Sequence, residues 1–285
     1  MKRKSRGGED THSNQNGKKV RRTGGAHKGR RARIRDAHDA AGGSGFLVSF
    51  RTGDWTAARN EVYELMGEAM EFVGDKDDAV KGAQGKDHAE KEVGSMISDL
   101  EAEIAAAKSG EKDRVDGMLK FCRTKCKGLL LVALGDQDAK FTMPIARRIF
   151  ERRASGPISR RISRFTPLQK ICRAREQDIL DTMKAVLKDS MGQIVRDYRE
   201  KKLVQFAVRF KARNMTESPR EKLVPLLAQA FVDAFAQEVP SDARATPKVN
   251  LTEPDIAIIC EIWHPFCGLA VLSDFRGTYR SLRLS

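Results

Sequence analysis

Aromatic side chains are scarce in this chain, at 6% of 285 residues. Most of them sit at core-like spacings, which argues against recognition of single strands by bases stacked on exposed rings. No run of about 18 or more apolar residues occurs, so no membrane span is expected. No apolar segment follows the basic N-terminus, so no secretory signal is expected either. Five cysteines, an odd and sparse set, fit a reducing compartment rather than a disulfide framework. Cys122-x-x-x-Cys126 lacks a second Cys/His pair nearby, and a structural zinc needs four ligands, so no metal site is expected. Of five histidines, His12, His27 and His38 fall in the first 45 residues, His88 in a charged insertion and His264 beside Pro265. No Ser-His-Asp or Cys-His set assembles from them. The densest glycine run, Gly42-Gly43-Ser44-Gly45, precedes the first expected strand, and no Gly-Lys-Ser/Thr sequence follows a strand. A loop cradling a nucleotide or acetyl-CoA is therefore not expected, and no cofactor is assigned.

What the chain has in excess is positive charge. Lys and Arg number 53 against 39 Asp and Glu, for a net +14. Residues 1–45 hold +9 of it, with almost no large apolar side chain. Such a segment cannot bury enough surface to offset its ordering entropy and reads as a disordered tail. It reads as a generic attractor of polyanions or a nuclear-targeting stretch, so the expected location is the nucleus (nucleolus or nucleoplasm), with the cytoplasm as a second location. The Gly-Gly-Ser-Gly at its end reads as a linker. Residues 46–285 carry the remaining +5.

Periodicity then predicts the elements. Phe46–Phe50 reads as a strand. Trp55, Ala58, Val62, Leu65, Met66 and Met70 have helical spacing behind Asp54 as N-cap, with Gly74 ending the helix. Residues 75–92 read as a mobile insertion, and the helical period resumes from Val93 to Gly110. Strands are expected at 118–123 and 129–134, a helix at 143–153, and a strand at 160–165 broken by Pro167. Strand, helix, strand, strand, helix, strand is the ferredoxin-like order. The second half predicts a helix over 174–191, a strand over 203–211, a helix from the capping box Ser218-Pro219-Arg220-Glu221 to Gln237, a buried strand at 255–263 and another at 267–273. The fold class is α+β.

Between Arg147 and Arg175 there are ten basic side chains and one acid, Glu151. A folded surface of that sign attracts polyanions with steep salt dependence, and guanidinium forks suit phosphate. A solvated basic face paired with acids elsewhere is the alternative. Lys201, Lys202, Arg209, Lys211 and Arg213 add to the positive charge in the second half. Asn214, taken alone, reads equally as a sugar or phosphate contact and as a turn residue in the left-handed conformation.

Three segments resemble one family. Arg160-Arg161-Ile162-Ser163-Arg164-Phe165-Thr166-Pro167 with Cys172-Arg173-Ala174 is similar to its "R-x-I-x-R-x-x-P…C-x-A" pattern. Phe206 through Asn214 with Arg220-Glu221 is similar to "F-x-I-x-[FY]-K-x-R-N…R-E". Lys248 through Asp255 resembles "K-V-D-L-x-x-P-x", and an apolar strand, a cysteine strand and Asp274-Phe275 follow. The family is that of the THUMP-domain tRNA-binding adaptors of the RNA cytidine acetyltransferase. Asn250 stands where the pattern has Asp, and Met215 where a second Asn is common. The resemblance implies a ferredoxin-like domain over 46–167 followed by a THUMP domain over 168–285, with no residues left for a catalytic domain. It implies a non-catalytic adaptor that presents serine- and leucine-type tRNA for N4-acetylcytidine formation in the D-arm. The partners are then tRNA and the acetyltransferase, with no membrane. The residues assigned to RNA are Arg160, Arg161, Arg164, Lys170, Arg173, Arg209, Lys211, Arg213, Asn214 and Arg220. A ribosome-assembly factor and an RNA-modifying enzyme with an unrecognised site are the readings from other classes.

Overall fold

A computed structural model of the chain describes residues 35–36, 40–51, 53, 55–79, 117–215, 219–239 and 245–284. The expected N-cap at Asp54, the helix over 93–110, most of the 75–92 insertion, Ser218 of the capping box, and residues 1–34 of the tail lie outside the described residues.

The chain is a mixed α/β structure built on two five-stranded sheets. The first has the order β1 (Arg35–Asp36), β3 (Leu119–Arg123), β4 (Leu129–Leu134), β2 (Ser44–Phe50), β5 (Ile162–Leu168). Strands β3, β4, β2 and β5 run antiparallel to one another in that order, while β1 pairs with β3 in parallel. Helices α1 (Trp55–Ala79) and α2 (Thr142–Arg153) cover one face. Ala58, Val62, Ile145 and Phe150 there meet Phe46, Val48, Leu130 and Val132. The other face is covered as well: Leu47, Leu129 and Leu131 pack with Ile171, Trp263 and Phe266 of the second sheet. Burial on both faces is why β4 is apolar at every position, Leu-Leu-Leu-Val-Ala-Leu, with all six residues buried.

The second sheet has the order β6 (Lys170–Arg173), β10 (Phe266–Leu272), β9 (Ile256–Trp263), β7 (Leu203–Arg213), β8 (Thr246–Val249). Helices α3 (Glu176–Asp197) and α4 (Arg220–Glu238) pack on one face through Met183, Leu187, Leu227 and Phe231 against Phe206, Ile258 and Ile262. All eight residues of β9 are buried, as an apolar central strand requires. Its opposite face meets the chain's end: Ala257, Ile259, Ala270 and Leu272 share a core with Phe275, Tyr279, Leu282 and Leu284.

The structure differs from the sequence expectations in four places. Gly42–Gly45 is not a linker. Gly42 N–H donates to the Ile171 carbonyl at 2.7 Å, Ile171 N–H donates to Gly43 at 2.9 Å, and β2 starts at Ser44. Gly45 is there because a Cβ would lie 2.1 Å from the Val132 carbonyl oxygen, a close backbone approach open to glycine alone. Pro167 does not break its strand; β5 runs on to Leu168, with Pro167 opposite Phe46. The strand lies at the end of the sheet order, where a missing N–H is tolerated. Helix α1 continues through Gly74 to Ala79. Finally, β6 and β8 form in stretches to which the periodicity assigns no element.

Asn250, the departure from the family pattern, closes the turn after β8. Its side-chain oxygen accepts N–H bonds from Thr252 at 2.9 Å and Glu253 at 3.1 Å. Its Nδ2 donates to Gln205 Oε1 at 2.8 Å, a bond no aspartate makes.

Candidate nucleic-acid interface

Strand periodicity puts alternate β7 residues on one face. Phe206 and Val208 belong to the core under α3 and α4, so Arg209, Lys211 and Arg213 point the other way. Strand β8 pairs only with Leu203–Phe206, so beyond Phe206 β7 keeps β9 as its paired neighbour among the described residues. A stripe of three cations therefore lies along the open end of the sheet.

Parallel pairing sets Lys211 opposite Glu261 of β9. Glu261 is 2% exposed, in the middle of an otherwise apolar strand, and it organises the cations around it. Arg213 Nη1 donates to Glu261 Oε2 at 2.6 Å. Arg164, reaching across from β5 of the first sheet, lies 3.8 Å from Oε1. One buried carboxylate is thus shared by an arginine from each sheet. Lys211 sits among these groups. Burial chiefly, then Arg213 and Arg164, hold its ammonium below the ordinary value, against the pull of Glu261. Arg209 places its guanidinium 5.6 Å from the centre of the Phe275 ring. Four cations, Arg164, Arg209, Lys211 and Arg213, against one carboxylate leave this junction net positive, and Arg164 and Arg209 each keep a buried Nε without a hydrogen-bond partner among the described residues.

Asn214 follows with φ +56, the left-handed conformation of a turn residue. Its Nδ2 donates to the Lys125 carbonyl at 3.3 Å, which ties the end of β7 to the β3–β4 turn. The structure gives the residue a bracing role between the sheets.

The other assigned cations do not join this group. Arg160 and Arg161 are exposed just before β5, and the Arg160 backbone N–H donates to Glu61 Oε1 at 3.0 Å. Lys170 of β6 pairs with Asp189 at 3.4 Å. Arg173 is exposed at the end of β6, and Arg220 at the first position of α4. The run from Arg147 to Arg175 is thus spread over α2, β5, β6 and the start of α3 rather than gathered on one face. Several of its members meet acids: Arg147 with Glu151 at 2.9 Å, and Arg152 with Glu68.

Sequence reasoning missed Glu261. Its signal was a lone acid inside Ile-Ile-Cys-Glu-Ile-Trp, a strand apolar on both faces, where a carboxylate has to find cations.

Residues 173–272 match the family described as the THUMP domain. The chain carries a THUMP domain, and β7 with its cations lies inside it. Among solved structures, the chain is similar to the crystal structure of PH1313 from Pyrococcus horikoshii Ot3. That likeness has 12% identity and a TM-score of 0.38, over 81% of this chain and 55% of that one. A 4-thiouridine synthetase–RNA complex with bound ATP gives 12% and 0.37, over 81% of this chain and 41% of that one. A predicted N6-adenine-specific DNA methylase from Listeria monocytogenes gives 11% and 0.35, over 84% and 43%. The chain spans about half the length of these proteins. No curated protein matches it. Among the described residues, no helix is long and apolar enough to cross a membrane.

Proposed function

We propose that this chain is a non-catalytic tRNA-binding adaptor that presents serine- and leucine-type tRNA to an RNA cytidine acetyltransferase, which forms N4-acetylcytidine in the D-arm. The observation that carries the reading is the THUMP domain at 173–272, with Arg209, Lys211 and Arg213 aligned on one face of β7. The family patterns at Arg160–Ala174, Phe206–Glu221 and Lys248–Asp255 supply the finer assignment. In this reading the first sheet with α1 and α2 is a ferredoxin-like domain, supported by the order β3-β4-β2-β5 and its alternating directions. The basic N-terminal residues steer RNA by charge and direct the chain to the nucleus. The partner enzyme supplies the acetyl-CoA chemistry.

Reconstitution tests this. Unmodified serine tRNA is incubated with acetyl-CoA and the acetyltransferase, with and without this chain, and N4-acetylcytidine is counted by mass spectrometry. The expected result is modification that depends on both proteins. Modification by this chain alone makes it an enzyme, and modification by the acetyltransferase to the same extent without it removes the adaptor role.

A further inference from the structure

The RNA reading makes no use of three thiols that lie side by side across the second sheet. Cys172 of β6 stands directly opposite Cys267 of β10. Cys267 Sγ is 3.7 Å from Cys260 Sγ of β9. All are free thiols. Residues directly opposite in an antiparallel pair have Cα atoms about 4.5–5.5 Å apart, inside the roughly 4.4–6.8 Å that a disulfide spans.

The three differ in access. Cys260 and Cys267 are 0% exposed. Cys172 is half-buried and lines an open hollow of about 480 Å³, between Lys170, Arg173 and the α3 residues Asp178, Asp181 and Thr182. A small polar reagent therefore reaches one thiol of the row, and that thiol touches a second in the interior. Hydrogen bonding from the Cys267 thiol, helped by Thr182, holds the Cys172 thiol below its ordinary value. It does so against burial and the nearby Asp178 carboxylate. The same contact, with Cys260 and burial, pushes Cys267 well up. The accessible thiol is the one held lower and its buried neighbour the one held higher, the order expected of an attacking and a resolving cysteine.

We propose that Cys172 is a hydroperoxide-reactive site resolved by Cys267 into a cross-strand disulfide. The Cys172 thiolate attacks the terminal oxygen of a hydroperoxide and the O–O bond breaks. The products are a Cys172 sulfenic acid and an alcohol or water, which takes the thiol proton. Cys267 sulfur then attacks Cys172 sulfur; the S–S bond forms, the S–O bond breaks, and the departing hydroxide leaves as water with the Cys267 proton. Two thiols are oxidised by two electrons and one hydroperoxide is reduced. Cys260 stays a thiol behind the pair. None of this chemistry depends on RNA.

The test uses the full chain, fully reduced, exposed to stoichiometric hydrogen peroxide and sampled over time by peptide mass spectrometry. Cys126 is the internal control: it too is half-buried, and burial pushes its thiol up. Cys172 should be consumed several-fold faster than Cys126, because it opens onto the hollow and is held lower while burial pushes Cys126 up. A peptide linking Cys172 to Cys267, lighter by two hydrogens, should accumulate. In Cys267→Ser the sulfenic acid should persist at Cys172 and be trapped by dimedone. Cys172→Ser, at the more accessible position, should leave Cys267 unoxidised. Where Cys267→Ser fails to fold, the linked peptide from the wild-type chain decides. No Cys172–Cys267 linkage, or Cys126 oxidised as fast as Cys172, overturns the proposal.

Discussion

A carboxylate buried inside a sheet is costly unless cations pair with it, and Glu261 is paired with Arg213 at 2.6 Å and Arg164 at 3.8 Å. This separates two kinds of arginine that look alike in the sequence. Arg213 satisfies a buried acid, so truncating it strands that acid; breaking such a pair costs about 3–5 kcal/mol when fully buried, and Arg164 remains to soften the loss here. Arg220 is exposed and matters to stability only within roughly 0.5 kcal/mol. Urea unfolding should therefore show Arg213→Ala destabilised by about 2–3 kcal/mol and Arg220→Ala unchanged. Equal midpoints for the two variants would contradict the role given to Glu261. It follows that lost RNA binding in Arg164→Ala or Arg213→Ala reports on the fold as much as on the interface. Lys211 and Arg160 are the cleaner probes.

At the scale of elements, two contacts fix the packing, the first of them between the sheets. Gly268 of β10 faces Leu168 of β5: a Cβ there would lie 2.4 Å from Leu168 Cδ1 and 3.0 Å from its Cγ. Both residues are interior, Leu168 being 0% exposed, so Gly268→Ala forces the leucine off its place. Overpacking of this kind costs about 1–3 kcal/mol. Adding Leu168→Ala should cost less in the Gly268→Ala background than in the wild-type chain, a coupling read from a double-mutant cycle; strict additivity would refute the contact.

The second is at the end of α3. The Tyr198 hydroxyl accepts from the Asp274 N–H at 2.9 Å and donates to the Asp255 carbonyl at 3.3 Å, joining that helix to the end of the β9–β10 pair where β9 begins and β10 finishes. Burial, with the carboxylates of Asp255 and Asp274, outweighs the Asp274 N–H bond and pushes the phenol up to about 12 from 10.0. The sign follows. The fold favours the neutral phenol, so its contribution is whole below about pH 10 and is lost as pH rises through about 12. The gap in melting temperature between the wild-type chain and Tyr198→Phe should be constant below about pH 10 and narrow above it. A gap that stays constant to about pH 12 would contradict the linkage.

Most elements were legible because burial writes a plain pattern: β4 and β9 are continuous apolar runs, and α3 and α4 carry helical stripes. What was not legible was short or shared. Strand β6 is Lys-Ile-Cys-Arg and β8 is Thr-Pro-Lys-Val; each pairs through its backbone, which composition does not record. Pro167 and Gly45 read as breakers until their strand neighbours are known. The candidate cations were legible by type, but their division into paired and unpaired depends on Glu261, Asp189 and Glu68. Those acids are brought to them from other elements by the tertiary fold.

For the whole molecule, the net +14 separates into a basic N-terminal stretch and a modest excess over the folded part. Attraction by the first is indifferent to which polyanion is bound. In the proposed reading the second positions RNA, through the junction where β5 and β7 share Glu261 together with the exposed Arg160 just before β5. Contacts of this kind go to phosphate and show themselves in salt dependence: each phosphate neutralised contributes a slope of about −0.9 in log K against log salt on a duplex. The most direct measurement is tRNA affinity between about 50 and 200 mM salt, compared for the wild-type chain and for Arg160→Gln/Lys211→Gln. The two proteins should unfold at the same denaturant concentration. The predicted result is weaker binding and a slope shallower by about 1–2 in the double variant. An unchanged affinity and slope would place tRNA elsewhere and contradict the account.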